Sequence, residues 1–201
     1  MALGQLLPLL QTSVTDPRRA SRELLGLGLP IEHYWTAFLA VVTLAAALVQ
    51  GVLILSPPPK TLVMADGSEV PIVVPGALAT VAVIGGGLLA VAALLHVGAK
   101  AFGGTGRFAD MILAVTWIQG VLIALNLLSL PLLLIGLGGL VELALFAVLF
   151  WMLGGFTAGM QGFESTGKVV MGVIGGLFAL ALGLAILLVA LGGGATATGG
   201  L

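Results

Sequence analysis

Apolar blocks at roughly 34–55, 76–99, 108–130, 132–156 and 169–191 dominate this chain. Each is long enough to cross a hydrocarbon core of about 30 Å as a helix of about 20 residues. Six of the seven basic residues fall before the first block or in alternate gaps between blocks. Arg18, Arg19 and Arg22 precede the first, Lys100 and Arg107 follow the second, and Lys168 follows the fourth. Only Lys60 breaks the pattern, and Asp66 and Glu69 in the same gap offset it. Basic residues are retained on the cytoplasmic side of short loops. The expected topology is a cytoplasmic N-terminus, five spans and an external C-terminus. Splitting or fusing one block would put Lys100 and Arg107 on the side opposite Lys168.

Composition agrees with lipid as the solvent. Hydrophobic residues make up 60% of the chain and charged residues 7%, against about 25% charged in a soluble domain. A net charge of −1 argues against a nucleic-acid partner, which requires a basic field. The absence of cysteine removes disulfide, thiolate and thiolate-metal chemistry. The fold class read from these features is an all-α integral membrane protein, a bundle of five transmembrane helices preceded by short amphipathic or interfacial N-terminal helices. Its parts are N-terminal helices at 1–30, the five-span region at 31–192 with an outer loop at 56–75, and a flexible external tail at 193–201.

The N-terminus lacks the basic region and cleavage site of a signal peptide. Leu3, Leu6, Leu7, Leu10 and Val14 are read as one face of an interfacial helix. Asp16-Pro17 has the chemistry of a helix start, an acceptor for first-turn amides followed by a residue suited to the first helical position. The helix that follows carries Ala20, Leu24 and Leu27 on one face. Arg18, Arg19 and Arg22 are then expected at anionic headgroups, at about 1 kcal/mol each. In the outer loop, Asp66-Gly67 marks a hairpin turn between strands near 61–64 and 70–74.

Candidate chemistry is sparse. Glu142 is placed inside the fourth span, where a carboxylate is expensive and should face the bundle or be neutral. Gln119 and Asn126 lie seven apart and share a face of the third span, and His96 lies near the cytoplasmic end of the second. Together these four form a candidate intramembrane polar site, with cross-helix hydrogen bonding as the structural alternative. Gly155/Gly159 and Gly172/Gly176 are GxxxG pairs, expected to pack helices closely. The run Phe102-Gly103-Gly104-Thr105-Gly106-Arg107-Phe108 lacks the preceding strand and Gly-Lys-Ser/Thr ending of a phosphate loop, and reads as a tight cytoplasmic turn. No catalytic residues, metal ligands or cofactor are assigned.

Asp16-Pro17-Arg18-Arg19-Ala20 ahead of five spans, and the turn from Phe102 to Asp110, resemble a bacterial member of the Yip family, the Ypt/Rab-interacting five-span membrane proteins. The resemblance runs from about residue 14 to 191. It implies a cytoplasmic N-terminus, a five-helix bundle and an external C-terminus. Eukaryotic relatives are associated with vesicle trafficking, membrane shaping and binding of prenylated Rab GTPases. Their Asp-Leu-Tyr-Gly-Pro motif is absent here, so fold and topology are carried over and Rab binding is not. The functional expectation is a non-enzymatic inner-membrane protein that organises membrane or binds other membrane proteins. Its partners would be a bilayer with anionic headgroups at the cytoplasmic face, a second copy of itself or another membrane protein, and not nucleic acid. The alternative is a small transporter or channel using the polar residues around Glu142.

Overall fold

The computed structural model of the chain describes residues 3–59, 61–63, 68–176 and 182. Two short helices come first, α1 (Leu3–Thr15) and α2 (Pro17–Gly26). Four long ones follow: α3 (Ile31–Leu55), α4 (Ala77–Ala101), α5 (Phe108–Leu134) and α6 (Gly138–Gln161). A further helix, α7, occupies 166–176. Among the described residues these four long helices have the length and composition to cross a membrane. The fifth expected span, 169–191, begins inside α7, and most of its remainder lies outside the described residues, as does the tail expected at 193–201.

Large apolar side chains such as Leu39, Val52, Leu78 and Leu143 are exposed along the spans. In water such a surface would aggregate; in a bilayer it is the surface lipid requires. The protein is a membrane protein. Helix α5 is the central element, packed against α3, α4 and α6. Its first turns, from Asp110 through Thr116, are buried throughout. Phe38 and Val42 from α3, Ala92 and Leu95 from α4, and Met152 and Phe156 from α6 close around them.

Lys100, Arg107 and Lys168 lie where α4 ends, where α5 begins and just beyond α6, so one end of the bundle is basic. At the opposite end Gln50 Nε2 donates to Thr80 Oγ1 at 2.7 Å and to the Pro75 carbonyl at 3.0 Å. The segment joining α3 and α4 there holds an antiparallel pair, β1 (Thr61–Val63) and β2 (Glu69–Pro71), with Leu62 opposite Val70. The expected turn at Asp66-Gly67 lies outside the described residues.

The boundary between the third and fourth spans differs from the expected break at Pro131. Helix α5 continues through Pro131 to Leu134, and α6 starts at Gly138. The stop is Gly136, which has φ +84°. This left-handed residue lets the Leu137 N–H reach back to the Leu132 carbonyl at 3.1 Å, the closing bond of a Schellman motif. Pro131 forfeits one bond close to the helix end, which a membrane helix tolerates.

Helix α2 follows the chemistry of its sequence. The Asp16 carboxylate accepts from the Arg19 amide at 3.0 Å, and Pro17 takes the first helical position. Its buried face is Pro17, Ala20, Ser21 and Leu24, the i, i+3, i+4, i+7 stripe of an amphipathic helix. That stripe packs on α6: a Cβ at Gly155 would strike Pro17, and one at Gly159 would strike Ser21 Oγ. Replacing Gly159 by Leu should therefore push α2 off the bundle, at about 1–3 kcal/mol of overpacking. With no native cysteine, an Ala20→Cys reporter makes this measurable. Aqueous maleimide should label Cys at this fully buried position slowly in the parent and rapidly when Gly159→Leu is added.

Candidate functional site

Two indoles hold the end of α1. Trp117 Nε1, from α5, donates to Ser13 Oγ at 2.8 Å, and Trp151 Nε1, from α6, donates to the Val14 carbonyl at 3.0 Å. An indole N–H away from water needs an acceptor, and here the N-terminal segment supplies one to half-buried Trp117 and one to the more exposed Trp151. Ser13 is fully buried, and its hydroxyl donates in turn to the Leu9 carbonyl at 2.7 Å. Trp117 lies nine residues from the start of α5 and Trp151 ten from the end of α6. At 1.5 Å per residue both sit about 14–15 Å from the basic end, roughly half the depth of a hydrocarbon core.

This placement changes the role of Arg18, which sequence reasoning put at lipid headgroups. Arg18 instead turns toward the bundle, and one guanidinium nitrogen donates to the Glu164 carbonyl at 2.6 Å. The cause is the closeness of α2 to Gly155, which also brings the Arg18 backbone against α6. Arg19 and Arg22 do face outward. Arg19 Nε bonds Glu23 Oε1 at 2.7 Å, one turn on.

The glycine-rich turn after α4 packs on the end of α6. Gly103, at φ +87°, ends α4 and lets the Gly104 N–H reach the Ala99 carbonyl at 2.8 Å. Thr105 N–H then donates to the Gln161 carbonyl at 3.0 Å, satisfying a carbonyl that the end of α6 leaves without an intrahelical donor. Side chains at Gly104 or Gly106 would collide with Gln161 and Met160. The next helix is tied down by Asp110, whose carboxylate accepts from the Arg107 amide at 2.9 Å and from the Arg107 guanidinium at 2.9 Å. That hydrogen bond, then the charge of Asp110, raises the Arg107 pKa above its already high ordinary value, so this guanidinium stays charged.

The four residues of the expected polar site are separated. His96 is at the basic end, with Nδ1 3.4 Å from Gln161 Nε2 and its ring edge-on to Phe108. Gln119 lines a large apolar cavity of about 1180 Å3 bounded by α4, α5, α6 and α7. Asn126 and Glu142 come together instead, in a small cavity of about 250 Å3 with Leu122 and Phe146. Both are exposed, and the Asn126 amide donates to the Leu122 carbonyl of its own helix at 2.9 Å. Because α6 starts at Gly138, Glu142 stands little more than one turn into the helix, at the end opposite His96.

The glycine pairs also divide. Gly155 and Gly159 receive α2 rather than another span, while Gly172 and Gly176 have no neighbour within 4 Å of a built Cβ and line the large cavity. Sequence reasoning assigned no role to Thr157, Gln161, Trp151 or Ser13. The available signal was the requirement that indole and amide donors inside a bundle find partners.

A family model described as the Yip1 domain matches residues 12–190. No curated protein and no solved structure matches the chain.

The indole contacts can be weighed by a double-mutant cycle on Trp117→Phe and Ser13→Ala, followed by denaturant unfolding in detergent. The expected coupling is about 0.6–1.7 kcal/mol, the range for hydrogen bonds between membrane helices. Additive effects would mean the two side chains do not interact.

Proposed function

We propose that this chain, which belongs to the Yip1 domain family by the match of residues 12–190, is a non-enzymatic inner-membrane protein that shapes the bilayer around it. The observation that carries the reading is the docking of α1 and α2 against α5 and α6 through Trp117, Trp151, Gly155 and Gly159. With the basic end cytoplasmic, as short basic loops favour, α2 and the end of α1 occupy the cytoplasmic half of the bundle. A helix with its side chains is about 10–12 Å across. Its presence in one half makes the protein wider in that leaflet than in the other.

Arg19 and Arg22, outward on α2, suit anionic headgroups of the same leaflet at about 1 kcal/mol each. A wedge-shaped inclusion gripped by that leaflet favours membrane curved around its wide end. This needs no nucleophile, general base or electrophile, and the site residues do not gather such a set. The transport alternative would rest on Asn126 and Glu142, which share a small cavity. His96, at the other end of the bundle, does not join them.

Reconstitution into large vesicles containing anionic lipid tests the wedge. Imaging by electron cryo-microscopy should find the parent protein in smaller, more curved or tubular membranes than protein-free controls. Gly159→Leu, which displaces α2, should lose the effect. Gly86→Leu should keep it, since a side chain there meets nothing within 4 Å. Equal curvature for the parent and Gly159→Leu would remove α2 from the mechanism.

A further inference from the structure

Well-packed protein interiors leave few voids larger than a water molecule. The cavity of about 1180 Å3 beside α5 and α6 is instead as large as a generous ligand pocket. Its lining is mostly apolar side chains, such as Leu95, Leu122, Phe146 and Leu153. Gly172 and Gly176 line it from α7 with open space in front of them. The polar features are few and ordered along its length.

At the mouth, on the basic end, stand Glu164 and Lys168, both exposed and of opposite charge. Ser165 caps α7 beside them, its Oγ accepting from the Lys168 amide at 3.3 Å. Deeper in, Thr157 lines the cavity, is 3% exposed, and its Oγ1 has no hydrogen-bond partner. Thr157 lies four residues before the end of α6, about 6 Å below the mouth. From Thr157 to Phe146 the apolar lining continues along α6 for about 16 Å. One leaflet of a hydrocarbon core is about 15 Å thick.

The geometry points to a site for one zwitterionic phospholipid, phosphatidylethanolamine in class, with an acyl chain in this cavity. Its phosphate meets Lys168 and its ammonium meets Glu164. The chain then runs past Leu153 and Phe150 to Phe146, against the open face of Gly172 and Gly176. A singly anionic lipid such as phosphatidylglycerol would leave Glu164 facing a headgroup without a cation. The inference concerns the cavity between α4 and α7, and does not rest on the shaping role proposed for α2.

The test uses the full chain in nanodiscs of equimolar phosphatidylethanolamine and phosphatidylglycerol, transferred to mild detergent and examined by native mass spectrometry. One phosphatidylethanolamine per chain should be retained. Gly172→Leu, which fills the cavity, should reduce retention about tenfold, while Gly86→Leu, outside the cavity, retains the lipid. Glu164→Gln with Lys168→Gln should abolish the preference for phosphatidylethanolamine. Photocrosslinking with a diazirine-acyl phosphatidylethanolamine requires no variant, and its adducts should concentrate at 146–157 and 169–176. No retained lipid, equal retention by Gly172→Leu, preference for phosphatidylglycerol, or adducts spread evenly around the spans would each overturn the assignment.

Discussion

Everything at the basic end depends on the close approach of α2 to α6. Two glycines one turn apart, Gly155 and Gly159, receive Pro17 and Ser21 where any side chain would collide. Between membrane helices there is little hydrophobic gain in association, because lipid is as apolar as leucine. What remains is contact and hydrogen bonding, and both need backbones close together. Once α2 is seated, the end of α1 is carried to the depth of the two indoles, which find their acceptors on Ser13 and Val14. The same seating brings Arg18 to the Glu164 carbonyl. That bond ties α2 to the turn between α6 and α7.

A second set of contacts closes the opposite side of this end. The turn after α4 uses Gly104 and Gly106 to lie against Met160 and Gln161, and Thr105 caps the end of α6. The last turn of α6 is thus held from both sides, by α2 and by the glycine-rich turn. Gln161, 1% exposed, sits between them and reaches toward His96. The two short motifs that carry the family resemblance, Asp16 to Ala20 and Phe102 to Asp110, pack on the same helix end.

Much of this was legible in the sequence. Blocks of about 20 apolar residues suit lipid rather than water, so four of the five expected spans were plain, and Asp16-Pro17 marked the start of α2 correctly. The limits have physical reasons. A GxxxG pair announces close approach but not the partner, so Gly155 and Gly159 gave no hint of α2, and Gly172 and Gly176 looked the same while facing open space. Arg18 reads like its neighbours Arg19 and Arg22 because its acceptor is a backbone carbonyl 146 residues away. Glu142 was placed too deep because Pro131 reads as a helix boundary, whereas the left-handed Gly136 makes the stop. The cavity was invisible, since the same apolar residues would serve equally in a packed core.

The docking of α2 can be tested by covalent capture in the membrane. A Cβ built on Gly159 lies 3.2 Å from the Ser21 Cβ, close to the separation of about 3.5–4.5 Å found in disulfides. In a chain with no native cysteine, the pair Ser21→Cys/Gly159→Cys should cross-link under mild oxidation in intact membranes, detected by mass spectrometry of the linked peptides. The pair Arg22→Cys/Gly159→Cys, with residue 22 facing outward, should not. Failure of the first pair to link, with its Cys at position 21 instead reacting freely with aqueous maleimide, would show that α2 does not lie on α6.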